Sequence, residues 1–294
     1  MAQLDFSIFR NPRLFFDNHE EFFRALPPYK IKERIAIIPC AGRATRMGEI
    51  GLPKALWPIN GVPAVERLLN SLSPYFQQFY ISVNDTKSDK ELFRSKLGNE
   101  LMEHTVLVET VPGLGEGDAV LRTMEIVPDD YDGEVLITWG DTVIMDEDLV
   151  PKCLRLLDEV GNKTPMLLPT VLENEPYVAI IRDDYGIVCD VKFRRRGEIC
   201  YNKEHDMNLF FGNYLGIKRH LTDMAHELRK TDGNYESFNA ELSFLDIVKS
   251  VSSQGKEVVA VCMGHDDSVG SFNTVEEAQS IEKVLFSRSK VSAQ

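Results

Sequence analysis

The residues best suited to chemistry form a loop that follows a short apolar run. Residues 35–40 read IAIIPC, and the loop after them combines small residues with cations. Small residues let backbone N–H groups approach a ligand, and arrays of such groups bind phosphate oxygens. We therefore expect a site for a triphosphate, made of Ala41, Gly42, Arg43, Ala44, Thr45, Arg46 and, further along, Lys54.

Two better-known phosphate loops do not match this segment. The Walker pattern requires Gly-Lys-Ser/Thr after four intervening residues and a first glycine, and the segment lacks it. The dinucleotide pattern GxGxxG is absent too, because the next glycine after Gly42 is Gly48. Enzymes that transfer a hydride from a dinucleotide are therefore a poor match.

The elements that must position this loop are strands and helices in alternation. Apolar runs predict strands at 35–40, 79–84, 105–110 and 134–141, and helical periodicity lies between them, for example at 88–101 and 115–127. This alternation predicts an α/β fold, with a doubly wound, mostly parallel, Rossmann-like sheet and helices on both faces. Further along, we expect strands at 210–217 and 257–263, with a helix at 238–253 between them. In such a fold the loop lies at the carboxyl ends of the strands, where ligands bind.

The first 32 residues differ from the rest, with six phenylalanines in the first 23 positions and then Pro27 and Pro28. We predict a helical N-terminal extension over residues 1–32, packed on the main body or on a partner subunit. Residues 33–294 would then form the catalytic domain.

Composition narrows the class of protein. The chain has 33 Lys and Arg against 46 Asp and Glu, a net charge of −13, which argues against nonspecific binding to nucleic acid. The sequence contains no run of about 18 apolar residues, so we expect no membrane-spanning helix, and we recognise no leader peptide. The five cysteines are scattered and never form a CxxC pair, so we expect reduced thiols, a cytoplasmic location and no zinc site.

At this point the sequence resembles a family. The stretches IIPCAGRATRM and PKALWPINGVP are similar to the signature of the sugar-phosphate nucleotidyltransferases, also called nucleoside-diphosphate-sugar pyrophosphorylases. NGVPAVERLL is similar also to the choline-phosphate cytidylyltransferases of bacteria. Weaker likenesses follow in order through LGEGDAV, WGD, YGIVCDV and FNTVEEA, from residue 34 to about residue 285. The resemblance implies a nucleotidyltransferase-type fold and an enzyme in which an acceptor phosphate attacks the α-phosphate of a nucleoside triphosphate.

The resemblance also implies roles for the nucleotide-binding residues. Arg46 would hold the leaving pyrophosphate, and Lys54 would neutralise charge that builds on the α-phosphate. The remaining contacts to base and ribose would come from Glu109, Gly115 and Glu116. Two positions depart from the family pattern. Ala44 stands where the family has a glycine in the loop. Glu109 stands where the family usually has a glutamine that reads the base, and this second change leaves the identity of the base open.

A magnesium site is implied by two residues that lie far apart in the sequence. Asp141 follows an apolar strand, and Mg²⁺ prefers one or two carboxylates together with phosphate oxygens. The second ligand would be Asn273, because Ser271 occupies the position of the family's aspartate. Asn273 could equally cap the helix that follows, and both roles stay open.

The acceptor-binding residues are the least constrained by sequence. Gly140, Asn208, Asn239 and Glu241 match positions where the family contacts the acceptor. The basic stretch 192–196 stands where many members have a glutamate that binds a sugar hydroxyl. Lys192 and Arg194 share one face of a strand and would bind an anionic acceptor, or the stretch is a solvated turn.

These observations predict a function with alternatives. The expected reaction transfers a nucleoside monophosphate from an NTP to a sugar 1-phosphate, giving an NDP-sugar and pyrophosphate with Mg²⁺. One alternative is a CTP-dependent enzyme that acts on a phosphorylated alcohol such as phosphocholine. Another is a catalytically silent nucleotide-binding subunit, which the presence of both Lys54 and Asp141 disfavours. The base, the acceptor and a homo-oligomeric state are left open.

Overall fold

The apolar runs of the sequence become the inner strands of one sheet. The structure, a computed structural model, describes residues 5–42, 47, 51–173, 176–200, 203–264 and 267–291. Its helices are α1 Pro12–Phe16, α2 His19–Ala25, α3 Ala64–Leu72, α4 Lys87–Lys96, α5 Asn99–Glu103, α6 Glu116–Met124, α7 Leu149–Val160, α8 Tyr214–Leu228, α9 Ile247–Ser253 and α10 Val275–Val291. Its strands are β1 Arg34–Pro39, β2 Pro58–Ile59, β3 Val62–Pro63, β4 Gln78–Asn84, β5 Thr105–Thr110, β6 Glu134–Thr138, β7 Val143–Ile144, β8 Met166–Leu172, β9 Val178–Arg182, β10 Val188–Phe193, β11 Glu204–Asp206, β12 Leu209–Asn213, β13 Val259–Cys262 and β14 Val269–Gly270.

The main sheet is mixed but mostly parallel where the site lies. Among the described residues its strands follow the order β11-β8-β12-β6-β1-β4-β5, with β13 paired to β8. The run β6-β1-β4-β5 is parallel, whereas β12 is antiparallel to both β6 and β8. The predicted doubly wound, mostly parallel α/β fold is confirmed, with antiparallel strands added on one side.

Two apolar clusters cover the two faces of the sheet. One joins α3 and α7 to one face through buried residues such as Leu68 and Leu154. The other joins α6, α8 and α9 to the opposite face, with Val120, Leu221 and Val248 among its buried members. Each helix buries one apolar stripe against a face of the sheet. The loops at the ends of the strands are therefore left free to bind a ligand.

Two predicted elements of the C-terminal half are wrong in extent. The strand expected over 210–217 ends at Asn213, whose side-chain oxygen accepts from the backbone N–H of Gly216 and begins α8. The helix expected over 238–253 is helical only from Ile247. Before it, short 3-10 turns occupy Phe238–Ala240 and Phe244–Asp246.

The phenylalanine-rich N-terminal segment packs against the main body. Phe9, Phe15 and Phe23 are buried in the same cluster as α3, α7 and one face of the sheet. Their rings meet edge to face, with centroids 5.0 Å apart for Phe9 and Phe15. None of the helices in the described ranges combines the length and the apolar character that crossing a membrane requires.

Candidate active site

A cleft of about 740 Å³ opens at the carboxyl ends of the parallel strands. The segment after β1, the segment after β6 and the loop between β5 and α6 all contribute to its wall. On the opposite side it is lined by residues from β9, β10 and β11 and by the segment that precedes α9. This is the edge at which doubly wound folds bind ligands, and Ala41 and Gly42, the described part of the predicted loop, line the cleft there.

Lys54 contacts two residues that are far from it in the sequence. Its ammonium donates to the Asp141 carboxylate, and it donates to Oδ1 of Asn273 over 3.2 Å. Lys54 begins a 3-10 turn whose next residues, Ala55 and Leu56, are buried and anchor it. Asp141 is itself buried, so the ion pair is largely shielded from water. Low exposure strengthens the attraction between the two charges.

Asn273 is not needed to cap the helix that follows it. Thr274 fills that role, because its hydroxyl accepts from the Glu277 backbone N–H at 3.2 Å. In return the Glu277 carboxylate accepts from the backbone N–H groups of Asn273 and Thr274, which is a capping box. The Asn273 side chain is therefore available to the cleft, where its amide oxygen meets Lys54.

Gly140 lines the cleft, and its lack of a side chain has a packing cause. A Cβ at this position would lie 2.2 Å from Sγ of Cys40 and 2.9 Å from Cβ of Ala55. Gly140 thus lets the segment after β6 lie directly against the segment after β1, and Asp141 comes within reach of Lys54. Burial raises the pKa of the Cys40 thiol, and the Asp141 charge raises it further. Cys40 is therefore a protonated thiol and not a nucleophile.

The stretch that begins α6 is held against the segment around Leu242. Gly115 has φ +96°, and a Cβ there would lie 2.3 Å from the Leu242 carbonyl oxygen. The backbone N–H of Gly117 donates to that same oxygen at 2.9 Å, and the Leu242 N–H donates to Leu114 at 2.7 Å. Glu116 lines the cleft, and its carboxylate accepts from the Ser243 hydroxyl at 2.8 Å. Gly115 and Glu116 therefore both line the cleft, and their contact with the nucleotide stays a prediction.

Three predicted acceptor residues also line the cleft. Asn208 and Asn239 both have left-handed backbone, with φ of 58° and 57°. Asparagine adopts this conformation more readily than most residues, which fits their positions in tight turns. Glu241 lies next to Leu242 and lines the cleft as well.

Other predicted residues are not brought to the cleft. Glu109 lies on the exposed side of edge strand β5 and pairs with Lys90 at 3.3 Å. The Lys192 ammonium lies 3.1 Å from Glu198 and 3.4 Å from Asp190, and Arg194 is exposed outside the cleft lining. Strand alternation puts Phe193, not its basic neighbours, into the cleft.

Part of the predicted phosphate loop is outside the described residues. Ala41 and Gly42 are described and line the cleft. An added Cβ on Gly42 would meet no described atom within 4 Å. The predictions for Arg43, Ala44, Thr45 and Arg46 fall outside the described ranges.

Sequence reasoning missed Asp206 and the aromatic side chains of the cleft. Asp206 ends β11, is buried and lines the cleft together with Tyr177 and Trp139. Burial raises the pKa of the Asp206 carboxyl. The available signal was an aspartate two residues before the candidate Asn208, which places both at the end of one short strand.

The donor set fits a magnesium ion that also binds phosphate. In the part of the chain that the structure describes, no three or more His, Cys, Asp or Glu side chains cluster as a self-sufficient metal site. The Asp141 carboxylate and the Asn273 amide oxygen instead both contact one cation, the ammonium of Lys54, so the two oxygens lie close enough to share a metal ion. Two oxygen donors plus phosphate oxygens match the preference of Mg²⁺.

Comparison with known proteins points to one group. A family model described as the MobA-like NTP transferase domain matches residues 36–235. The bifunctional protein GlmU of Streptococcus equi subsp. zooepidemicus is 26% identical over 244 residues, which are 83% of this chain and 50% of that protein. GlmU of Bacillus cytotoxicus is 29% identical over 158 residues, 54% of this chain and 33% of that protein. The chain thus spans at most about half the length of these curated relatives.

A solved structure shares the fold. The crystal structure of UDP-glucose pyrophosphorylase complexed with UDP-glucose superposes with a TM-score of 0.65 at 14% sequence identity. The match covers 87% of this chain and 100% of that one. At this identity the likeness concerns the fold.

Proposed function

The chain belongs to the family of the MobA-like NTP transferase domain, and from this membership we propose that it is a nucleotidyltransferase. It transfers a nucleoside monophosphate from an NTP to a sugar 1-phosphate, and it releases an NDP-sugar and pyrophosphate. The solved structure that shares the fold is, by its title, a UDP-glucose pyrophosphorylase complexed with UDP-glucose, and this supports a sugar phosphate as acceptor.

One observation carries the proposal. Lys54, Asp141 and Asn273 meet at one point of the cleft, although 219 positions separate the first from the last. A cation, a carboxylate and an amide at a phosphate-binding edge suit phosphoryl-type transfer, which needs positioning and charge neutralisation more than covalent help. A silent binding subunit would have no need of this convergence.

The reaction requires little covalent chemistry from the protein. An oxygen of the acceptor phosphate forms a bond to the α-phosphorus of the NTP, and the bond from that phosphorus to the bridging oxygen of the β-phosphate breaks. Pyrophosphate leaves with the electron pair. The Lys54 ammonium neutralises the charge that builds on the α-phosphate oxygens, which is worth most in a site shielded from water.

Magnesium is the proposed cofactor, held by Asp141 and Asn273. When bound, it would neutralise phosphate charge that the protein alone leaves uncompensated. The backbone N–H of Gly42, which lines the same cleft, would donate to the same phosphates. Gly140 keeps the two sides of the phosphate site close together.

A pyrophosphate-release screen tests the proposal. The four nucleoside triphosphates are crossed with a panel of sugar 1-phosphates and phosphorylated alcohols in the presence of Mg²⁺. We expect release with one pair or a few pairs, and we expect Lys54→Ala to lower turnover on the order of 100-fold or more. Lys87→Ala is the matched control, because Lys87 is an exposed lysine on α4 outside the cleft lining.

Two results would contradict the proposal. One is near-normal turnover in a folded Lys54→Ala protein, since that would leave the ammonium without a role. The other is activity that survives complete chelation of divalent cations. Release of a free nucleoside diphosphate in place of pyrophosphate would indicate glycosyl transfer instead.

A further inference from the structure

Residues 235–242 form a turn that brings two of the predicted site residues to the cleft. Asn239 and Glu241 both line the cleft. The turn closes on itself, because the backbone N–H of Tyr235 donates to the Ala240 carbonyl at 3.3 Å. This bond fixes the shape of the turn, but it does not fix where the turn lies relative to the rest of the cleft. Contacts with another element must do that.

One end of the turn is bonded to the start of α6. Leu242 is fully buried, and its backbone N–H donates to the Leu114 carbonyl at 2.7 Å. Its own carbonyl accepts from the Gly117 N–H at 2.9 Å, and a Cβ on Gly117 would lie 2.8 Å from that oxygen. Glu116 lies between these two partners and lines the cleft. The turn is therefore in backbone contact with the wall that we assign to the nucleotide.

The other end of the turn is bonded to the same helix by a buried polar network. The Tyr235 hydroxyl donates to Oδ1 of Asp118 at 2.5 Å. The Arg229 guanidinium donates to that hydroxyl at 2.7 Å and to that carboxylate oxygen at 3.2 Å. Asp118 and Tyr235 are both buried. Burial and the neighbouring carboxylate raise the pKa of Tyr235 to about 12, so its hydroxyl keeps its proton at neutral pH.

This network does not contact the cleft itself. The lining, as far as the structure describes it, includes none of Asp118, Arg229 and Tyr235. Burying a carboxylate is costly, and apolar side chains of similar volume would hold the two elements together equally well. Hydrogen bonds supply what apolar contacts do not, because each of the three bonds requires a particular distance and direction. The network therefore suits a part of the protein whose position must be exact.

We infer that Asp118, Arg229 and Tyr235 are positioning residues, which hold the 235–242 turn at a fixed distance from the start of α6. This inference rests on the proposed transferase function, which gives the two walls their roles. The network acts through Asn239 and Glu241, which the turn presents to the cleft. Reacting groups that are misplaced by about 1 Å can slow a reaction on the order of 100-fold, so the distance between the two walls matters for turnover.

Two matched variants test the network. Tyr235→Phe removes a buried hydroxyl that bonds to the first turn of α6. Tyr214→Phe removes another, because the buried Tyr214 hydroxyl donates to the Met124 carbonyl at 2.7 Å, at the last residue of the same helix. Both are assayed by pyrophosphate release, with the NTP and the sugar 1-phosphate that turn over fastest in the screen.

The two variants should differ in one kinetic constant. We expect Tyr235→Phe to raise the Michaelis constant for the sugar 1-phosphate about tenfold, as for the loss of one hydrogen bond to a charged group. The Michaelis constant for the NTP should stay near its wild-type value, because Leu242 still holds its end of the turn. Tyr214→Phe should change neither constant.

Hydrogen exchange of single amides gives a measurement without any substrate. The Glu236 N–H donates to the Leu228 carbonyl at 2.7 Å and reports the end of the turn that the network holds. The Leu242 N–H reports the other end. In Tyr235→Phe we expect exchange at Glu236 to become about tenfold faster while exchange at Leu242 is unchanged. Tyr214→Phe should accelerate neither amide.

A double-mutant cycle separates positioning from a general loss of stability. In a protein that already carries Asn239→Gly and Glu241→Gln, Tyr235→Phe should have no further effect on the constant for the sugar 1-phosphate. Glycine is chosen because Asn239 has φ 57°, which glycine adopts without strain. Additive effects, or a Tyr235→Phe protein that behaves like Tyr214→Phe, would overturn the inference and leave the transferase function standing.

Failure of the proposed function would give a different result. Faster exchange at Glu236 in Tyr235→Phe, without pyrophosphate release from any substrate pair, would support the hold of the network on the turn and remove the function. Arg229→Gln changes the partly exposed end of the network and takes the place of Tyr235→Phe if that protein does not fold. Unchanged exchange at Glu236 in a folded Arg229→Gln protein would equally overturn the inference.

Discussion

Lys54 holds together the two residues that we assign to the metal. Its ammonium contacts the carboxylate of Asp141 and the amide oxygen of Asn273, so in the free protein a lysine cation stands where both candidate ligands point. A divalent cation bound by the same oxygens would be repelled by that ammonium, because like charges a few ångströms apart repel strongly even at the effective dielectric of a protein surface. Metal binding should therefore displace Lys54 and release it toward the phosphates.

Removal of the ammonium should strengthen metal binding in the absence of substrates. We expect Lys54→Met to bind Mn²⁺, used as a magnetic probe for Mg²⁺, about tenfold more tightly than the wild-type protein, since a repulsion of a kcal/mol or more is lost. Electron paramagnetic resonance of free Mn²⁺ measures this without any turnover. Lys87→Met, which removes an exposed lysine of α4, should bind Mn²⁺ as the wild type does. Equal or weaker binding by Lys54→Met would contradict the displacement.

Most of the predicted site residues that the structure describes line the cleft, but which face of a strand enters it could not be predicted. Lys54, Asp141 and Asn273 could be proposed because family motifs fix them, and the structure places them together. For the basic stretch, alternation showed that Lys192 and Arg194 share a face, but it could not show which face enters the cleft. Burial of Phe193 decides that, and burial depends on what packs against the strand from elsewhere in the chain. Asp206 was missed for the same reason.

At the scale of elements, tertiary contacts override helical periodicity between residues 238 and 246. Asn239 and Ala240 have positive φ, and Leu242 pairs by backbone hydrogen bonds with Leu114 and Gly117. Each such bond uses a backbone group that a helix would have used internally, so the segment forms turns until Ile247. The apolar residues of this segment do recur with helical spacing, but they pack against the start of α6 without forming a helix.

Helix α8 buries a histidine that should make stability depend on pH. His220 is fully buried, neither ring nitrogen has a hydrogen-bond partner within the described structure, and burial lowers its pKa, with Lys256 and Arg219 adding to the effect and Asp223 opposing it. The unfolded chain therefore binds this proton more readily than the folded chain. Neutral His220 therefore favours the folded state fully above pH 6.5, the usual histidine pKa, and this contribution to the free energy of unfolding is lost as pH falls below that value.

We expect His220→Leu to remove this dependence. The free energy of unfolding, from urea titrations between pH 5 and 8, should fall for the wild type below pH 6.5 by up to about 1.4 kcal/mol per pH unit from this group alone. The difference between the wild-type and variant curves isolates His220 from other titrating groups. His226→Leu is the control, because His226 lies on the same helix and is exposed. Parallel curves for wild type and His220→Leu would show that the ring has a partner when charged.

At the scale of the whole molecule, the N-terminal segment is part of the core. Phe23 is 1% exposed, and its ring packs edge to face against Phe22 at 5.3 Å and Phe15 at 6.2 Å. The Lys152 ammonium of α7 lies 5.9 Å from the Phe23 ring centre, so a cation–π contact links the N-terminal segment to α7 of the main body. We propose that residues 1–32 unfold with the rest of the chain as one unit.

A core substitution in this segment should therefore destabilise the entire protein. We expect Phe23→Ala to lower the free energy of unfolding by about 3–5 kcal/mol, the usual loss for a buried phenylalanine. Leu14→Ala, at a neighbouring position that is 63% exposed, should change it by less than about 0.5 kcal/mol. Urea denaturation followed both by circular dichroism and by activity gives the measurement. A separate early transition in circular dichroism with activity retained would show that the segment unfolds alone.

The 219 positions between Lys54 and Asn273 also have a meaning for biosynthesis. At about 5–20 residues per second, translation needs on the order of 10–45 s to go from the first of these residues to the second. From the synthesis of Asp141 to the end of that interval, a nascent chain has both Lys54 and Asp141 but lacks the Asn273 amide that contacts Lys54. Under the proposed magnesium site, catalysis would begin only after β13, β14 and Asn273 have been synthesised, and a ribosome that stalls before them would carry an inactive chain.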